Sequence, residues 1–274
     1  MNIDELNSRG IVLLGCGKMG SALLSGWLKR KIEPKSIDVV EPFPSDWLRS
    51  QPVRLNRSQL NPTPAVCLLA VKPQAAKDAF ENVLAFGGGR TVVVSIIAGL
   101  PIAYLESIFG PETPIVRTMP NTPAAIGQGI TALAGNQISG SADVDLAEGL
   151  MSAVGETVRL ENEELMNAVT ALSGSGPAYV FHLIETMAKV GEELGLEAGI
   201  SLKLAVATVA GAGQLATTSN RSPADLRVDV TSPGGTTEAA LMHLMNPESG
   251  LRRLMSDCMR AAEMRGKELG KLHD

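Results

Sequence analysis

The stretch Ile11-Val12-Leu13-Leu14-Gly15-Cys16-Gly17-Lys18-Met19-Gly20 decides the fold of this chain. Its apolar start predicts a buried strand, and the apolar spacing in residues 21–30 predicts a helix. The glycines between them form a GxGxxG motif, in which a tight turn lets backbone N–H groups and a helix N-terminus face a pyrophosphate. Strand, turn and helix together predict a dinucleotide-binding site, and a glycine-rich turn without a ligand is the alternative.

The first half of the chain continues this alternation of strands and helices. Continuous apolar runs predict further strands at 37–40, 66–71, 92–97, 115–117 and 130–134, with helices at 74–85 and 101–108. Runs that are apolar throughout are typical of strands covered on both faces, as in a parallel sheet. We therefore expect a Rossmann domain over residues 1–161, with a doubly wound, mainly parallel α/β sheet.

From about Asn162 onward the strand-like runs stop and the pattern becomes helical. Val180, Leu183, Ile184 and Met187 recur at spacings of three and four, and a second helix is expected over 198–217. Residues 162–274 are therefore expected to form an all-α domain. Its high apolar content suggests that it buries surface against another subunit.

Composition narrows the class of partner and the compartment. A net charge of −5 argues against a nucleic-acid surface and favours a small-molecule partner. Cys16, Cys67 and Cys258 lie far apart and form no CxxC pair, so neither a disulfide framework nor a metal site is expected. The N-terminus lacks the layout of a signal peptide, and no run approaches the roughly 20 apolar residues of a bilayer span. We expect a cytoplasmic protein that does not bind membranes.

Glu41 stands at the end of the second predicted strand, about 20 residues past the glycines, where a carboxylate can accept hydrogen bonds from an adenosine ribose. A carboxylate there repels a 2′-phosphate, so Glu41 favours NAD(H) over NADP(H). Arg49, Arg54 and Arg57 could approach the same region and offset the repulsion. A solvated strand end is the alternative interpretation of Glu41.

Two later segments lie at the carboxyl ends of predicted strands, which is where doubly wound sheets bind ligands. Ala70-Val71-Lys72-Pro73 stands at the end of the third predicted strand, and Pro73 suits the first position of a helix. Asn121 lies between Pro120 and Pro123 after a later strand. Lys72 and Asn121 are candidate cofactor contacts, with a solvated lysine and a rigid turn as the alternatives.

The helical half contains two segments rich in glycine and hydroxyl groups. They are Ser173-Gly174-Ser175-Gly176-Pro177-Ala178-Tyr179 and Thr231-Ser232-Pro233-Gly234-Gly235-Thr236-Thr237. In the second, backbone N–H groups and hydroxyl donors can converge on a small carboxylate just ahead of a helix. The alternative for the first segment is a plain connection between helices, and the alternative for the second is an ordinary N-cap.

Taken together, these motifs resemble the pyrroline-5-carboxylate reductase family over nearly the whole chain. The resemblance implies hydride transfer from NAD(P)H to the C=N carbon of L-1-pyrroline-5-carboxylate, giving L-proline. By position, it implies that Thr237 bonds the imine nitrogen. The implied substrate-binding residues are Thr231, Ser232, Gly234, Gly235, Thr236 and Ser173. It also implies self-association through the C-terminal helices, as a dimer or a ring of dimers.

This chain departs from the family pattern at three places. Arg227-Val228 stands where the family often has Lys-Asp, and Met245 where it has a polar residue. At Glu41 many members have Ser or Thr, which suit a 2′-phosphate. Family habit therefore favours NADP(H), whereas Glu41 favours NAD(H).

The mechanism implied by the resemblance does not require a strong general acid, because a protonated C=N group is already electrophilic. His182, His243 and His273 all lie outside the substrate motifs. Catalysis would rest on orienting the nicotinamide against the imine. A hydroxyacid dehydrogenase would be expected to carry a Lys or His base within 162–172, which contains neither. A further alternative is a non-catalytic dinucleotide sensor or a pyridoxal-phosphate-binding protein. The presence of Thr237, the residue implied to bond the imine, argues against this alternative.

Overall fold

The computed structural model describes residues 3–271, and all structural statements below concern that range. Its strands form one eight-stranded sheet in the order β3-β2-β1-β4-β5-β6-β7-β8. The strands are β1 Ile11–Leu14, β2 Ile37–Val40, β3 Arg54–Leu55, β4 Val66–Leu69, β5 Val92–Ser95, β6 Ile115–Met119, β7 Gly129–Gly135 and β8 Gly155–Arg159. Neighbouring strands are parallel except β6 and β7, which pair antiparallel. The predicted doubly wound, mainly parallel sheet is confirmed.

The helices that the structure describes are spread over both halves of the chain. They are α1 Ile3–Arg9, α2 Lys18–Lys29, α3 Asp46–Ser50, α4 Ala76–Phe80, α5 Ile102–Phe109, α6 Ser141–Met151, α7 Met166–Val169, α8 Gly176–Glu193, α9 Ala198–Thr218, α10 Pro223–Asp229, α11 Thr236–Leu244 and α12 Leu251–Lys271.

The register of the central strands explains why their sequences are apolar throughout. Ile11 in β1 lies opposite Ile37 in β2 and Val66 in β4. Ile11 and its alternate neighbour Leu13 belong to the core on one face of the sheet, whereas Val12 belongs to the core on the other. Because helices cover both faces, neither set of side chains meets water.

Several elements differ from the prediction, mainly where the hydrophobic signal is weak. The short strand β3, the edge strand β8 and the helix α6 were not predicted. β8 carries mostly exposed or half-buried side chains, so it lacks an apolar run. The predicted helix over 74–85 is shorter and irregular, with a 3₁₀ turn at Pro73–Ala75 ahead of α4.

The described chain divides into two compact units. The first runs to Gly174 and includes the residues from Ala262 onward, and the second is Ser175–Ala261. The predicted boundary after residue 161 lies earlier than this division. The reason is that Met166 is fully buried against Met119 at the sheet, which ties α7 to the first unit. The predicted domain limits remain a prediction.

The second unit is all-helical, with α8 and α9 packed closely on each other. The Ser201 hydroxyl donates to the Ala188 carbonyl at 2.6 Å. A Cβ on Gly191 would lie 2.1 Å from that hydroxyl oxygen, so the helix crossing requires glycine there.

Helix α9 corrects one expectation. Over residues 3–271 it is the helix long and apolar enough to cross a membrane by length and composition, with mean hydropathy 1.3. The prediction that no apolar run approaches the length of a bilayer span is therefore wrong for Ala198–Thr218. Alanine and glycine extend the stretch without charge, and Lys203 is its one charged residue.

Candidate active site

In the glycine turn between β1 and α2, two glycines lie in close contact with the backbone and one borders open space. Gly15 has φ +88°, and a Cβ on it would lie 2.7 Å from the Ala70 carbonyl oxygen. A Cβ on Gly20 would lie 2.6 Å from the Gly15 carbonyl oxygen. Gly17 has no heavy atom within 4 Å of its Cβ position and caps α2 without a side-chain bond. The turn therefore presents free N–H groups at a helix N-terminus to open space, which fits a pyrophosphate.

A cavity of about 1340 Å³ opens beside this turn in the first unit. Of the predicted cofactor residues, those lining it are Gly15, Cys16, Gly17, Lys18, Glu41, Ala70, Val71 and Lys72. Met19, Gly20, Pro73 and Asn121 do not line it. Met19 packs on the core and Pro73 opens a 3₁₀ turn. Their predicted role in cofactor binding remains a prediction.

Glu41 is bonded to the glycine turn itself. Its carboxylate accepts from the Cys16 N–H at 2.8 Å and from the Phe43 N–H at 3.0 Å. The Asn56 side chain in turn clamps the Glu41 backbone, accepting from its N–H and donating to its carbonyl, both at 2.8 Å. Glu41 thus has a structural role beside any contact with a ribose.

Asn56 was missed by the sequence reasoning. It adopts φ +48°, a left-handed conformation that asparagine tolerates better than most residues. An isolated Asn after a two-residue strand carries too weak a turn signal to identify it.

The three arginines considered near Glu41 have different surroundings. Arg57 lines the cavity together with Ser58, whereas Arg49 does not. Arg54 pairs with the buried carboxylate of Asp38 at 2.6 Å. Arg57 is therefore the arginine of this set available to a ligand in the cavity.

Cys16 lies in the glycine turn as a neutral thiol. Burial raises the pKa of Cys16, the hydrogen bond with the Ser21 hydroxyl offsets part of this rise, and the charge of Glu41 adds to it. A thiol held protonated is a poor nucleophile. Cys16 thus fits a structural role in the turn, where its N–H bonds Glu41, better than covalent chemistry.

Asn121 and Ser173 are brought together in the first unit. The Asn121 amide donates to the Ser173 carbonyl at 3.2 Å and accepts from the Ile130 N–H at 3.0 Å. Ser173 lies in a π-helical turn, Thr170–Gly174, and its hydroxyl bonds the Val169 carbonyl at 3.2 Å. Asn121 is thus tied to the protein by both ends of its amide.

The loop before α11 carries the predicted substrate residues of the second unit. Gly234 has φ +72° and its N–H donates to Glu238 at 2.7 Å, while the Gly235 N–H donates to the Ser232 carbonyl at 3.0 Å. Thr231 donates its hydroxyl to the Arg227 carbonyl at 2.6 Å. Gly235 caps α11 without a side-chain bond. The Thr236 and Thr237 hydroxyls have no hydrogen-bond partner within residues 3–271.

Neither histidine within the described range joins a metal or catalytic cluster. His182 is exposed and lies 3.3 Å from Glu185, and His243 is exposed on α11. His273 lies outside the described residues. Over residues 3–271 no group of three or more metal-ligating side chains is present.

A doubly wound sheet, an open glycine turn at the start of a helix and a large cavity beside it define a dinucleotide-binding protein. Comparison with known families makes the assignment specific. The profile described as pyrroline-5-carboxylate reductase dimerisation matches residues 163–269, and that described as NADP oxidoreductase coenzyme F420-dependent matches residues 10–99.

Full-length relatives and solved structures agree with the profiles. The chain is 40% identical to the pyrroline-5-carboxylate reductase of Synechocystis sp., covering 94% of this chain and 97% of the relative. It is 36% identical to that of Pseudomonas aeruginosa, covering 95% and 97%. A pyrroline-5-carboxylate reductase structure from Coxiella burnetii superposes with a TM-score of 0.88 at 33% identity, over 96% of this chain and 99% of that one.

A second structure carries a cofactor. The Plasmodium falciparum pyrroline carboxylate reductase with NADP bound gives a TM-score of 0.83 at 27% identity, over 96% of this chain and 99% of that one. This chain belongs to the pyrroline-5-carboxylate reductase family, an NAD(P)-dependent oxidoreductase family. The family and enzyme class predicted from the motifs are confirmed, and so is a nicotinamide cofactor.

Proposed function

We propose that this chain transfers hydride from NAD(P)H to the C=N carbon of L-1-pyrroline-5-carboxylate and so forms L-proline. The observation that carries the proposal is the start of α11. Its first turn has no side-chain cap, and unpartnered hydroxyls of Thr236 and Thr237 stand at that same N-terminus. Free N–H groups and hydroxyl donors at a helix N-terminus suit a small carboxylate.

Within this loop the residues have separate roles in the proposal. Ser232 and Thr236 would bind the substrate carboxylate, and Thr231, Gly234 and Gly235, whose donors are bonded within the protein, would shape the loop around it. The Thr237 hydroxyl oxygen would accept the N–H of the protonated ring nitrogen and orient the C=N carbon. Its side chain is half-buried, so such a bond is partly shielded from water.

In the first unit the chain would hold the dinucleotide by its pyrophosphate. The Gly17 N-cap borders open space at the positive end of the α2 helix dipole. Bound nicotinamide supplies the hydride, and the protein's contribution is to orient it. The ring nitrogen keeps its proton, so the protein needs no strong acid.

The choice between NADP(H) and NAD(H) rests on the surroundings of Glu41. Both carboxylate oxygens accept backbone N–H groups, and Arg57 and Ser58 line the same cavity. Arg57 supplies the positive charge that a 2′-phosphate needs, which supports NADP(H). The negative charge of Glu41 favours NAD(H), as the sequence suggested, and this is the second candidate. Arg57→Ala should lower kcat/KM for NADPH about tenfold and leave NADH nearly unchanged if NADP(H) is the natural cofactor.

Assembly belongs to the same proposal. The family profile over residues 163–269 is a dimerisation profile, which supports self-association of this chain. A dimer or a ring of dimers formed through the helical unit would cover its exposed apolar side chains. Location in the cytoplasm remains the prediction made from the sequence.

The test is the initial rate of NADPH and, separately, NADH oxidation with L-pyrroline-5-carboxylate. Thr237→Val should lower kcat about tenfold to a hundredfold, because one hydrogen bond to the reacting group is lost, and should leave the dinucleotide Kd unchanged. The matched control is Thr218→Val, since the Thr218 hydroxyl bonds only the Gln214 carbonyl of its own helix. No turnover by the parent enzyme with either cofactor, or an equal loss of turnover and cofactor binding in Thr237→Val, would contradict the proposal.

A further inference from the structure

Phe43 is a large aromatic side chain left in water at the edge of the cofactor cavity. It is 88% exposed and lines the cavity from the loop that follows β2. Of the five phenylalanines in the chain, Phe80, Phe86 and Phe109 are buried in the first unit and Phe181 lies in the second. Phe43 is therefore the exposed phenylalanine of the first unit, and its position needs an explanation.

We propose that Phe43 stacks on the adenine ring of the bound dinucleotide, an inference that rests on the proposed use of NAD(P)H. An aromatic side chain can offer one face to a planar base. Such stacking buries apolar surface of both rings and tolerates either NAD(H) or NADP(H), because the 2′ position is not involved.

The backbone of the loop holds Phe43 at a fixed distance from the glycine turn. Its N–H donates to Glu41 Oε1, and Glu41 Oε2 accepts from the Cys16 N–H. Asn56 clamps the Glu41 backbone from the other side. Pro42 and Pro44 flank the phenylalanine and restrict the backbone on both sides. The loop is thus preorganised, and stacking would cost little ordering of the backbone.

Part of the cavity wall consists of small or apolar side chains that suit a flat apolar group. Leu60, Pro62, Ala75 and Ala79 line the same cavity. Small and apolar side chains leave room for a base, and the charged side chains of Lys72 and Asp78 line the same cavity. The pyrophosphate site at the glycine turn and the aromatic ring at the rim therefore match the two ends of an adenosine diphosphate.

The test measures binding of dinucleotide fragments to the full-length protein by calorimetry. Phe43→Ala should raise the Kd of ADP-ribose about tenfold, equivalent to about 1.4 kcal/mol, and leave that of nicotinamide mononucleotide within twofold. Phe43→Trp should keep ADP-ribose affinity within twofold, because a larger aromatic face is retained. The matched control is Ile138→Ala, an exposed apolar side chain of the first unit away from the cavity, which should change neither Kd.

Two results would overturn the inference. One is an unchanged Kd for ADP-ribose in Phe43→Ala. The other is a Kd of ADP-ribose that is raised as much in Phe43→Trp as in Phe43→Ala. That result would mean that Phe43 supports the conformation of the loop and does not stack on the base. Failure of the proposed reductase activity is separate, because ADP-ribose binding is measured without imine and without turnover.

Discussion

The two compact units treat their apolar side chains in opposite ways. In the first unit every residue of β1, β4 and β5 is buried, and cores lie on both faces of the sheet. In the described part of the second unit the buried side chains are Ala188, Ser201 and Ala205. Its large apolar side chains are exposed instead, among them Val180, Phe181, Leu183, Met187, Ile200, Leu202, Leu204 and Val206.

This difference shows that the units reach stability by different routes. The first has a core of its own and meets the requirement for independent folding. The second has closely packed backbones but few buried side chains, so a single copy leaves most of its hydrophobic surface in water. Exposed apolar surface on this scale marks an interface, and the dimerisation profile over the same residues supports a second copy as its partner.

The largest expected effect comes from placing a charge on the exposed apolar surface of α9. Leu204→Arg should weaken self-association about a thousandfold, or about 4 kcal/mol, because a buried unpaired charge opposes the interface. Leu204 is 53% exposed and Leu84 of the first unit is 47% exposed, which makes Leu84→Arg the matched control. Sedimentation equilibrium measures the effect. Equal association constants for Leu204→Arg and Leu84→Arg would show that the exposed apolar surface of the second unit is not the interface.

Arg117 offers a smaller effect, confined to the first unit. Its guanidinium is buried in β6 and pairs with Glu163 at 2.5 Å, and Glu163 also accepts from the Ile102 N–H at 2.8 Å. Arg117→Met should destabilise the protein by about 3 kcal/mol, because the partner carboxylate loses its counter-charge. Urea unfolding at fixed protein concentration measures this, with the exposed Arg49→Met as control. A loss equal to that of the control would show that the pair adds nothing to the sheet unit.

The sequence predicted those parts of the fold whose physical signal is local. The central strands are apolar on both faces, and the glycine motif has one common structural use, so both were identified. β8 was missed because its side chains at the sheet edge are exposed or half-buried, and α6 because its buried residues alternate with acidic ones. The contact of Met166 with the sheet was not predictable, because it depends on residues distant in sequence.

The site was predictable to a similar extent. Residues in the glycine turn and Glu41 line the cavity as expected. The hydrogen bonds of Glu41 with Cys16 and Asn56 were not predictable, since they depend on how separate loops meet. Phe43 was overlooked for a different reason, because an exposed side chain carries no periodic signal.

The smallest expected effect concerns the edge of the sheet that the sequence did not predict. There Glu148 of α6 accepts from Arg159 of β8 at 3.0 Å and from the Thr157 hydroxyl at 2.8 Å. These bonds hold the pKa of Glu148 below its ordinary value, chiefly through Arg159. Because the folded pKa is lowered, the stabilisation is complete above the unfolded pKa and disappears as the pH falls through the folded one.

Glu148→Gln should therefore cost about 0.5 kcal/mol at pH 7, the scale of a surface ion pair. The difference from the parent should vanish as the pH falls below the ordinary carboxyl range. Urea unfolding midpoints measured across that range give the comparison, and Glu156→Gln, an exposed carboxylate of β8, is the control. A cost at neutral pH that persists unchanged in acid would mean that Glu148 acts through side-chain packing. The contacts of Glu148 at this edge of the sheet would then stabilise the protein by packing, as the apolar side chains of the core do, and not by charge.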